Sequence, residues 1–218
     1  MSVVASGRYA YERDPDAITA RSFAIIRAEA DLSRFGSGVG IAERIAHAAG
    51  DVAVLADLVM RGDLTAATRA ALEGGCPVVV DTEMTRHAIA ARAVSPDRVV
   101  CRLNEPGTAA AAAEGGTTRA ATGIRRAAAD IAGAVVVIGN APTALFALLE
   151  LLRDGVRPAA LYAFPVGFVG AVESKAALVA LAPSFPHATL TGRRGGSAIA
   201  GAALNGAVLA ADASAATS

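Results

Sequence analysis

Short, continuously apolar segments alternate along the chain with longer segments in which apolar residues recur at helical spacing. The short segments are rich in valine and alanine, which is typical of strands buried on both faces. They are 76–81, 98–103, 134–139, 159–164 and 188–192. Since helical segments separate them, the pattern predicts an α/β fold: a mainly parallel sheet covered by helices on both faces, as a three-layer sandwich.

Capping residues and glycines mark the ends of the predicted helices. Asp14 followed by Pro15 predicts the start of a first helix, and Gly50 predicts the end of a second one. The other predicted helices are 83–93, 118–131, 142–155, 173–182 and 196–210. An alanine-rich segment, 107–118, is compatible with either low complexity or a helix. No linker or change in composition divides the 218 residues, so we expect a single domain over 1–218.

The charge balance and the aromatic content both argue against a nucleic-acid binder. Lys+Arg and Asp+Glu are 20 each, and no run of like charge occurs. Nucleic-acid binders usually carry a basic surplus on one face. The chain has no tryptophan and three tyrosines, too few for a platform on which bases could stack. We therefore expect no nucleic-acid partner.

The most apolar stretch, 134–152, is long enough to cross a membrane, but the turn from Gly139 to Pro142 interrupts it. The N-terminal segment lacks the basic and apolar regions of a signal peptide. Cys76 and Cys101 flank apolar runs without a CxxC spacing. That pattern favours buried thiols in a reducing compartment over a disulfide or redox pair. We therefore expect a soluble, cytoplasmic protein with no membrane contact.

Polar residues and glycines collect where predicted strands pass into helices, the edge of an open α/β sheet at which ligands bind. Asn140 follows one strand and is a candidate cap for the next helix, and Ser197 begins the helix after the last predicted strand. Arg193, Arg194 and Lys175 lie near these helix N-termini, so this edge favours anionic groups. Taken singly, each glycine-rich loop is as compatible with an ordinary turn as with a site.

Sequence motifs for nucleotides, metals and hydrolysis are missing. The chain has no GxxxxGK[ST] loop, and its GSGVG segment at 36–40 follows a helix rather than a strand. His47, His87 and His187 show no HxxxH or HxH spacing, and no GxSxG sequence occurs. The expected anions are therefore carboxylates rather than phosphates, and we expect no metal site.

His47 is the histidine with the most distinctive position. On the helix that ends at Gly50, the pattern assigns Ile41, Ile45 and Ala48 to the apolar stripe, and His47 lies off it. Carbonyls exposed at a helix C-terminus stabilise a positive charge, and a protonated imidazole can act as a general acid. The residues alone leave open whether His47 is catalytic or only solvated or capping.

Seven segments of the chain carry a resemblance to a known family. They are ERDPDAITARSFAIIRAEADLSRF, RIAHAAGD, VVVDTEM, TTRAA, VIGNAPTALFALLELL, FPVGFVGAVESKAAL and GRRGGSAIAGAALN. In this order they resemble the precorrin-8X methylmutase family of corrin biosynthesis. The resemblance runs from about Tyr11 to the C-terminal helix, and its most specific parts are GNAPTAL and PVGFVGAVESK.

The resemblance implies an isomerase of cobalamin biosynthesis that moves a methyl group from C-11 to C-12 of precorrin-8X and gives hydrogenobyrinate. It further implies a homodimer, a tetrapyrrole as the binding partner and no cofactor. His47 aligns with the family's proton donor and acceptor, and Ser22 aligns with a substrate contact. Arg119, preceded by Thr118, matches the family's TR pair and is expected to meet a substrate carboxylate. The other residues expected to bind the substrate are Asn140, Lys175, Arg193 and Ser197.

Two departures from the family pattern occur, and neither touches the segment around His47. His87 stands at a position where members of the family tend to have a His-Gly or similar pair. The GRRGGSAIAGAALNG segment has extra glycines in place of alanines. Beside the metal-free methylmutase, two related functions stay open: a cobalt-precorrin-8 methylmutase that gives cobyrinate, and a carrier that holds the tetrapyrrole without converting it. A nucleotide-binding α/β enzyme is a weaker alternative, because phosphate motifs are missing.

Overall fold

Strands and helices alternate throughout the residues that this computed structural model describes, which are 4–5, 8–9, 11–181 and 184–209. The strands are β1 (Val4–Ala5), β2 (Arg8–Tyr9), β3 (Leu58–Arg61), β4 (Val78–Val80), β5 (Val99–Cys101), β6 (Val135–Ile138), β7 (Ala160–Ala163) and β8 (His187–Leu190). The α-helices are α1 (Pro15–Glu29), α2 (Val39–Ala49), α3 (Leu64–Glu73), α4 (Glu83–Ala88), α5 (Thr108–Glu114), α6 (Arg119–Arg126), α7 (Ala128–Ile131), α8 (Pro142–Arg153), α9 (Ala171–Leu181) and α10 (Ser197–Leu209). Three 3₁₀ helices span Ser33–Gly38, Val52–Asp57 and Pro96–Arg98.

Six strands form one sheet in the order β3-β8-β7-β6-β4-β5. Every neighbouring pair is parallel except β3 with β8, so the predicted mainly parallel sheet is confirmed. Strand β3 was not predicted from the sequence. It lies at the edge of the sheet with only its first residue buried, and its apolar run of three residues, Leu58–Met60, stands between Asp57 and Arg61. Strands β1 and β2 form a separate antiparallel pair.

The four inner strands of the sheet bury both of their faces, and alternate residues enter two separate cores. Val135 and Val137 pack on one side with residues of α1, α2 and α10, whereas Val136 and Ile138 pack on the other with residues of α6 and α8. This alternation follows from the two-residue period of a strand. The predicted three-layer arrangement is therefore confirmed, with helices on both sides of the sheet.

Close packing of α10 against its neighbours depends on glycine. A Cβ on Gly206 would lie 2.4 Å from the carbonyl oxygen of Gly40 in α2, and a Cβ on Gly201 would lie 2.5 Å from that of Ala88 in α4. The extra glycines of this segment thus let α10 approach two helices more closely than alanine would. Asn205 of α10 also caps the C-terminus of α4, since its side-chain N–H donates to the Ala88 carbonyl oxygen at 3.2 Å, and its side-chain oxygen accepts from the Ala90 N–H at 3.0 Å.

Several predicted helix boundaries change in the structure. The alanine-rich segment contains helix α5, which resolves the alternative between helix and low complexity in favour of the helix. The predicted helix 118–131 divides into α6 and α7 at Ala127. The predicted helix 83–93 ends early, at Ala88, where the side chain of Asn205 supplies its cap. Helix α3 was not predicted.

The apolar stretch 134–152 divides as predicted into strand β6, a turn and helix α8, which begins at Pro142. None of the helices in the described ranges is both long and apolar enough to cross a membrane. Cys76 and Cys101 are partly buried free thiols. Burial raises the pKa of the Cys101 thiol to about 11, so it stays protonated and unreactive at neutral pH.

Candidate active site at the carboxyl edge of the sheet

Helix α2 presents His47 at its last turn. The helix buries Ile41, Ala42, Ile45 and Ala46 and leaves His47 exposed, so the off-stripe position predicted for His47 is confirmed. The assignment of Ala48 to the apolar stripe is wrong, because Ala48 is exposed and the buried face contains Ala42 and Ala46 beside Ile41 and Ile45.

The end of α2 has the geometry that the sequence predicted. Gly50 adopts φ 63° and ψ 21°, a left-handed conformation that favours glycine, and its N–H donates to the carbonyl oxygens of Ala46 and His47. The chain then turns sharply into Asp51, whose side chain accepts from the Ala53 N–H at 2.8 Å. His47 is therefore held beside a well-ordered helix end.

A cavity of about 380 Å³ opens between α1 and the end of α2. Its volume falls in the range of small-molecule pockets. Its lining residues are Ser22, Ile25, Ile26, Glu29, Ala46, His47, Gly50, Asp51 and Val52. The sequence-predicted residues Ser22 and His47 thus face one cavity although they lie on different helices. The hydroxyl of Ser22 donates to the carbonyl oxygen of Ile18 at 2.9 Å, which leaves its lone pairs available as acceptors.

Aromatic packing and an ion pair hold α1 against α2 at this cavity. The rings of Phe23 and His47 meet edge to face, with their centroids 5.4 Å apart. The guanidinium of Arg44 lies 5.5 Å from the centroid of the same Phe23 ring. Arg27 of α1 forms a two-point ion pair with the buried Glu43 of α2. Among the described residues the His47 imidazole has no hydrogen-bond partner, so it is oriented by packing and free to bind a ligand.

Asp51 connects the cavity to the loop that follows β8. One of its carboxylate oxygens accepts from Ala53, and the other lies 3.2 Å from a guanidinium nitrogen of Arg194. A second nitrogen of Arg194 lies 2.6 Å from Asp57. Asp51 therefore caps a helix and pairs with an arginine, and its carboxylate is not what orients the His47 imidazole.

Hydrogen bonds between neighbouring loops continue along the carboxyl edge. The Gly167 N–H donates to the carbonyl oxygen of Arg193, and the Val166 N–H donates to that of Asn140, both at 3.4 Å. The Arg193 guanidinium lies 5.2 Å from the ring centroid of Phe168, which is 83% exposed. The loops after β6, β7 and β8 thus meet at one edge, as predicted, and present an exposed aromatic ring beside an exposed arginine.

Asp81 is a residue of this edge that the sequence reasoning missed. It is buried directly after β4, and its carboxylate accepts from the N–H groups of Gly139, Asn140 and Ala141 at 3.0, 2.8 and 2.8 Å. The prediction that the Asn140 side chain caps α8 is therefore wrong: Ala141 is the N-cap residue, and the Asp81 carboxylate takes the free N–H groups. The sequence signal that could have identified Asp81 was its position directly after the apolar strand Val78–Val80.

The carboxylate of Asp81 also organises the start of α10. The Thr85 hydroxyl donates to Asp81 at 2.7 Å and lies 3.0 Å from the Ser197 hydroxyl. Ser197 is the first residue of α10, partly exposed at the same edge. At the loop before α8, part of the edge predicted to favour anions, the protein's own carboxylate therefore takes the backbone N–H groups.

Thr118 and Arg119 lie at the start of α6, on the far side of the Asn140 loop. The Thr118 hydroxyl caps α6 by accepting from the Ala121 N–H at 3.2 Å, and it lies 2.7 Å from the Thr143 hydroxyl of α8. Arg119 is exposed, and its one hydrogen bond within the described chain is a long one, 3.4 Å, to the side chain of Asn104. Its charge is thus free for an anionic ligand.

Lys175 does not lie at the rim as predicted. Its side chain is 1% exposed, and its ammonium group donates to the carbonyl oxygen of Arg194 at 2.7 Å. Burial lowers the pKa of Lys175 to about 8, with the carboxylate of Asp57 acting weakly in the opposite direction. The sequence placed Lys175 near the correct loop, but its amine supports that loop from beneath.

The other two histidines lie away from the cavity. His187 begins β8 and is buried, which lowers its pKa, and its Nδ1 is 3.0 Å from the carbonyl oxygen of Phe185. His87 is exposed at the end of α4. In the described part of the chain, no three His, Cys, Asp or Glu side chains cluster closely enough to hold a metal ion.

The fold and the site together define a class of protein. An α/β sheet carries, at its carboxyl edge, a cavity with one exposed histidine, and beyond it exposed arginines and an exposed aromatic ring. This arrangement suits an enzyme that transfers protons on an apolar ligand with carboxylate side chains. A family model described as precorrin-8X methylmutase matches residues 17–210. The chain belongs to the precorrin-8X methylmutase family, whose members are isomerases.

Individual relatives agree with this membership. A precorrin-8X methylmutase of a Sinorhizobium species is 50% identical over 200 residues, which cover 90% of this chain and 95% of that protein. One of Pseudomonas aeruginosa is 46% identical over 198 residues, covering 89% and 95%. The solved structure of a precorrin-8X methylmutase from Thermus thermophilus, 31% identical, superposes with a TM-score of 0.76 over 90% of this chain and 98% of the other.

Proposed function

We propose that this isomerase moves a methyl group from C-11 to C-12 of metal-free precorrin-8X and that His47 is its proton donor and acceptor. The observation that carries the proposal is the cavity shared by His47 and Ser22, two residues that the family resemblance assigns to catalysis and to substrate contact. The preference for the metal-free substrate rests on identity: the relatives at 50% and 46% bear the name precorrin-8X methylmutase, and a cobalt-precorrin-8 methylmutase of Methanocaldococcus jannaschii is 34% identical.

The reaction requires two things of the protein: one general acid and a binding site that holds the macrocycle in one orientation. The His47 imidazolium gives its proton to the conjugated macrocycle, which makes the carbon that receives the methyl group more electron-poor. The methyl group then moves from one ring carbon to the next, and the neutral imidazole takes the proton back. Atoms and charge balance because substrate and product are isomers. Such a general acid contributes about 10²–10⁴-fold to the rate.

The position of His47 supports this role. Its imidazole is exposed at the cavity, its ring is held by Phe23, and the described structure gives it no other hydrogen-bond partner. His47 also lies in the last turn of α2, the end of a helix at which positively charged side chains are favourably placed. The hydroxyl of Ser22 lies across the same cavity, where it can bind a polar group of the ring or one of its side chains.

The rest of the carboxyl edge suits the periphery of the substrate. The macrocycle is largely apolar and carries acetate and propionate chains, so it needs apolar contacts and scattered cations. Arg193 and Arg119 supply exposed guanidinium groups, and Phe168 supplies an apolar face beside Arg193. Thr118, Asn140 and Ser197 are the neutral polar groups of the same edge. Holding the ring in one orientation is itself a large catalytic effect.

A turnover assay with two substrates tests the proposal. Metal-free precorrin-8X and cobalt-precorrin-8 are offered separately at a large excess over enzyme, and the absorbance change of the product is followed. We expect many turnovers on the metal-free substrate and a lower kcat/KM on the cobalt form. Product that stops at one equivalent per chain would instead indicate a carrier, and preference for the cobalt form would reassign the substrate.

We also propose that the chain acts in the cytoplasm as a homodimer. Helix α9 leaves Val172 and Val179 40% and 36% exposed, two turns apart and hence on one face, and α8, which packs against α9, leaves Phe146 36% exposed. A second copy would cover these apolar side chains. Light scattering after size exclusion should give twice the mass of one chain, and V179E should lower it, whereas a monomeric wild type would contradict the proposal.

A further inference from the structure

Arg194 occupies the junction between the loop after β8 and the wall of the His47 cavity. Its guanidinium is 3.2 Å from the Asp51 carboxylate and 2.6 Å from that of Asp57. Asp51 lines the cavity, and Asp57 ends the 3₁₀ helix that follows it. One arginine side chain therefore connects a loop more than 130 residues further along the sequence to the cavity wall at Asp51 and to the end of the adjoining 3₁₀ helix at Asp57.

The main chain of Arg194 is held as firmly as its side chain. Its carbonyl oxygen accepts from the buried ammonium of Lys175 at 2.7 Å, and Lys175 lies on α9 beneath the loop. Two residues further, the Gly196 N–H donates to the carbonyl oxygen of Phe164 at 2.8 Å. The loop is thus anchored from below by α9 and β7 and from the side by Asp51 and Asp57.

The neighbouring Arg193 is placed in the opposite way. Its guanidinium stacks on the exposed ring of Phe168, and within the described residues it pairs with no carboxylate. The charge of Arg194, by contrast, is already matched by two carboxylates, so a substrate carboxylate there would be repelled by Asp51 and Asp57. Of two adjacent arginines, only Arg193 offers an unmatched charge.

We propose that Arg194 is a positioning residue, which ties the substrate-binding loop after β8 to the wall of the His47 cavity, and that Arg193 alone of the pair meets a substrate carboxylate. This inference rests on the proposed function. Arg194 acts through Asp51 and Asp57: it sets where the cavity wall lies relative to the loop and therefore where the ring lies relative to His47. Small displacements of this kind lower the rate of the chemical step.

Four variants separate positioning from direct binding. R194Q removes both contacts of the tie, whereas D57N removes one of them and leaves the contact with Asp51. Their double variant tests whether Asp57 acts only through Arg194, and R193Q removes the neighbouring charge. R125Q is the matched control, because Arg125 forms a comparable exposed pair with Glu150, 2.8 Å apart, between α6 and α8.

A positioning role predicts a split between kcat and KM. We expect R194Q to lower kcat about 10-fold and D57N to lower it by a smaller factor, both with KM within about 2-fold, and the double variant to be no worse than R194Q. R193Q should raise KM about 10-fold with little change in kcat. R125Q should match the wild type. A KM effect in R194Q with kcat unchanged, or a double variant much slower than R194Q alone, would overturn the proposal.

A measurement without turnover keeps the inference testable even if the proposed function fails. The imidazole NMR signals of His47, assigned by their loss in H47A, are compared among the same variants. R194Q and D57N should shift these signals, whereas R193Q and R125Q should leave them unchanged. A wild type without methylmutase activity would refute the proposed function, and unshifted His47 signals in R194Q and D57N would refute the positioning role separately.

Discussion

The two ends of the carboxyl edge are built in opposite ways. At one end, His47 is exposed beside an open cavity, packs against one aromatic ring and lacks a hydrogen-bond partner in the described structure. At the other end, Asp81 is buried, and its carboxylate accepts four hydrogen bonds, from three consecutive backbone N–H groups and from Thr85. Both groups are titratable and both lie beside strand ends or helix ends.

The difference separates the residue available for chemistry from the residue that maintains the scaffold. A carboxylate with four donors has little capacity left for a ligand, and removing it would leave buried N–H groups without acceptors. A histidine without partners can bind and protonate a ligand but contributes little to stability. Changes at Asp81 should therefore alter folding, and changes at His47 should alter turnover.

Replacing Asp81 should cause the largest loss of stability. D81A removes the acceptor from the N–H groups of Gly139, Asn140 and Ala141, and we expect it to lower the free energy of unfolding by about 3 kcal/mol or more. Urea unfolding followed by circular dichroism measures the change. D154A, at an exposed aspartate after α8, is the matched control. A D81A variant as stable as D154A would refute the scaffold role.

Adding one methyl group at Gly206 should lower both the stability of the protein and its turnover. In G206A the new Cβ would lie 2.4 Å from the Gly40 carbonyl oxygen, so α10 and α2 must move apart. We expect a loss of about 1–3 kcal/mol in unfolding free energy, and also a lower kcat because α2 carries His47. Unfolding curves and steady-state rates test both parts. Unchanged stability would show that the helix contact is looser than described.

The pH dependence of the unfolding free energy should report the lowered pKa of Lys175. Burial lowers its pKa from an ordinary value of 10.5 to about 8, so the unfolded chain binds more protons than the folded protein between those values. Wild-type stability relative to K175M should therefore rise with pH from about 8 to 10.5, by at most about 3 kcal/mol. Subtracting the unfolding free energy of K175M from that of the wild type cancels the contribution of the other groups, which titrate in both proteins. A flat difference would contradict the burial of a charged amine.

Much of the fold was predictable because it follows from local pattern. The alternation of apolar strands with amphipathic helices predicted the inner strands and the three layers, and Gly50 predicted the end of α2. Strand β3 was missed because its apolar run, Leu58–Met60, is short and stands between the charged residues Asp57 and Arg61. Helix α4 ended early because its cap, Asn205, comes from a residue more than 100 positions later.

The site was predictable where one helix decides the position and unpredictable where tertiary partners decide it. His47 lies off the stripe of its own helix, so periodicity located it. Lys175 and Asn140 were misplaced because their environments come from elsewhere: the Lys175 amine meets the Arg194 carbonyl 19 residues on, and the Asn140 loop meets Asp81 from 59 residues before. No local pattern encodes such contacts.

The most direct test of the account compares H47A with H87A. Both remove an exposed histidine from the last turn of a helix, but only His47 lines the cavity. Single-turnover rates are measured with enzyme in excess over precorrin-8X, alongside equilibrium binding of the product. We predict that H47A slows conversion by about 10²–10⁴-fold while product binding and stability stay close to wild type, and that H87A is normal. An H47A variant that converts bound substrate at the wild-type rate would contradict the account.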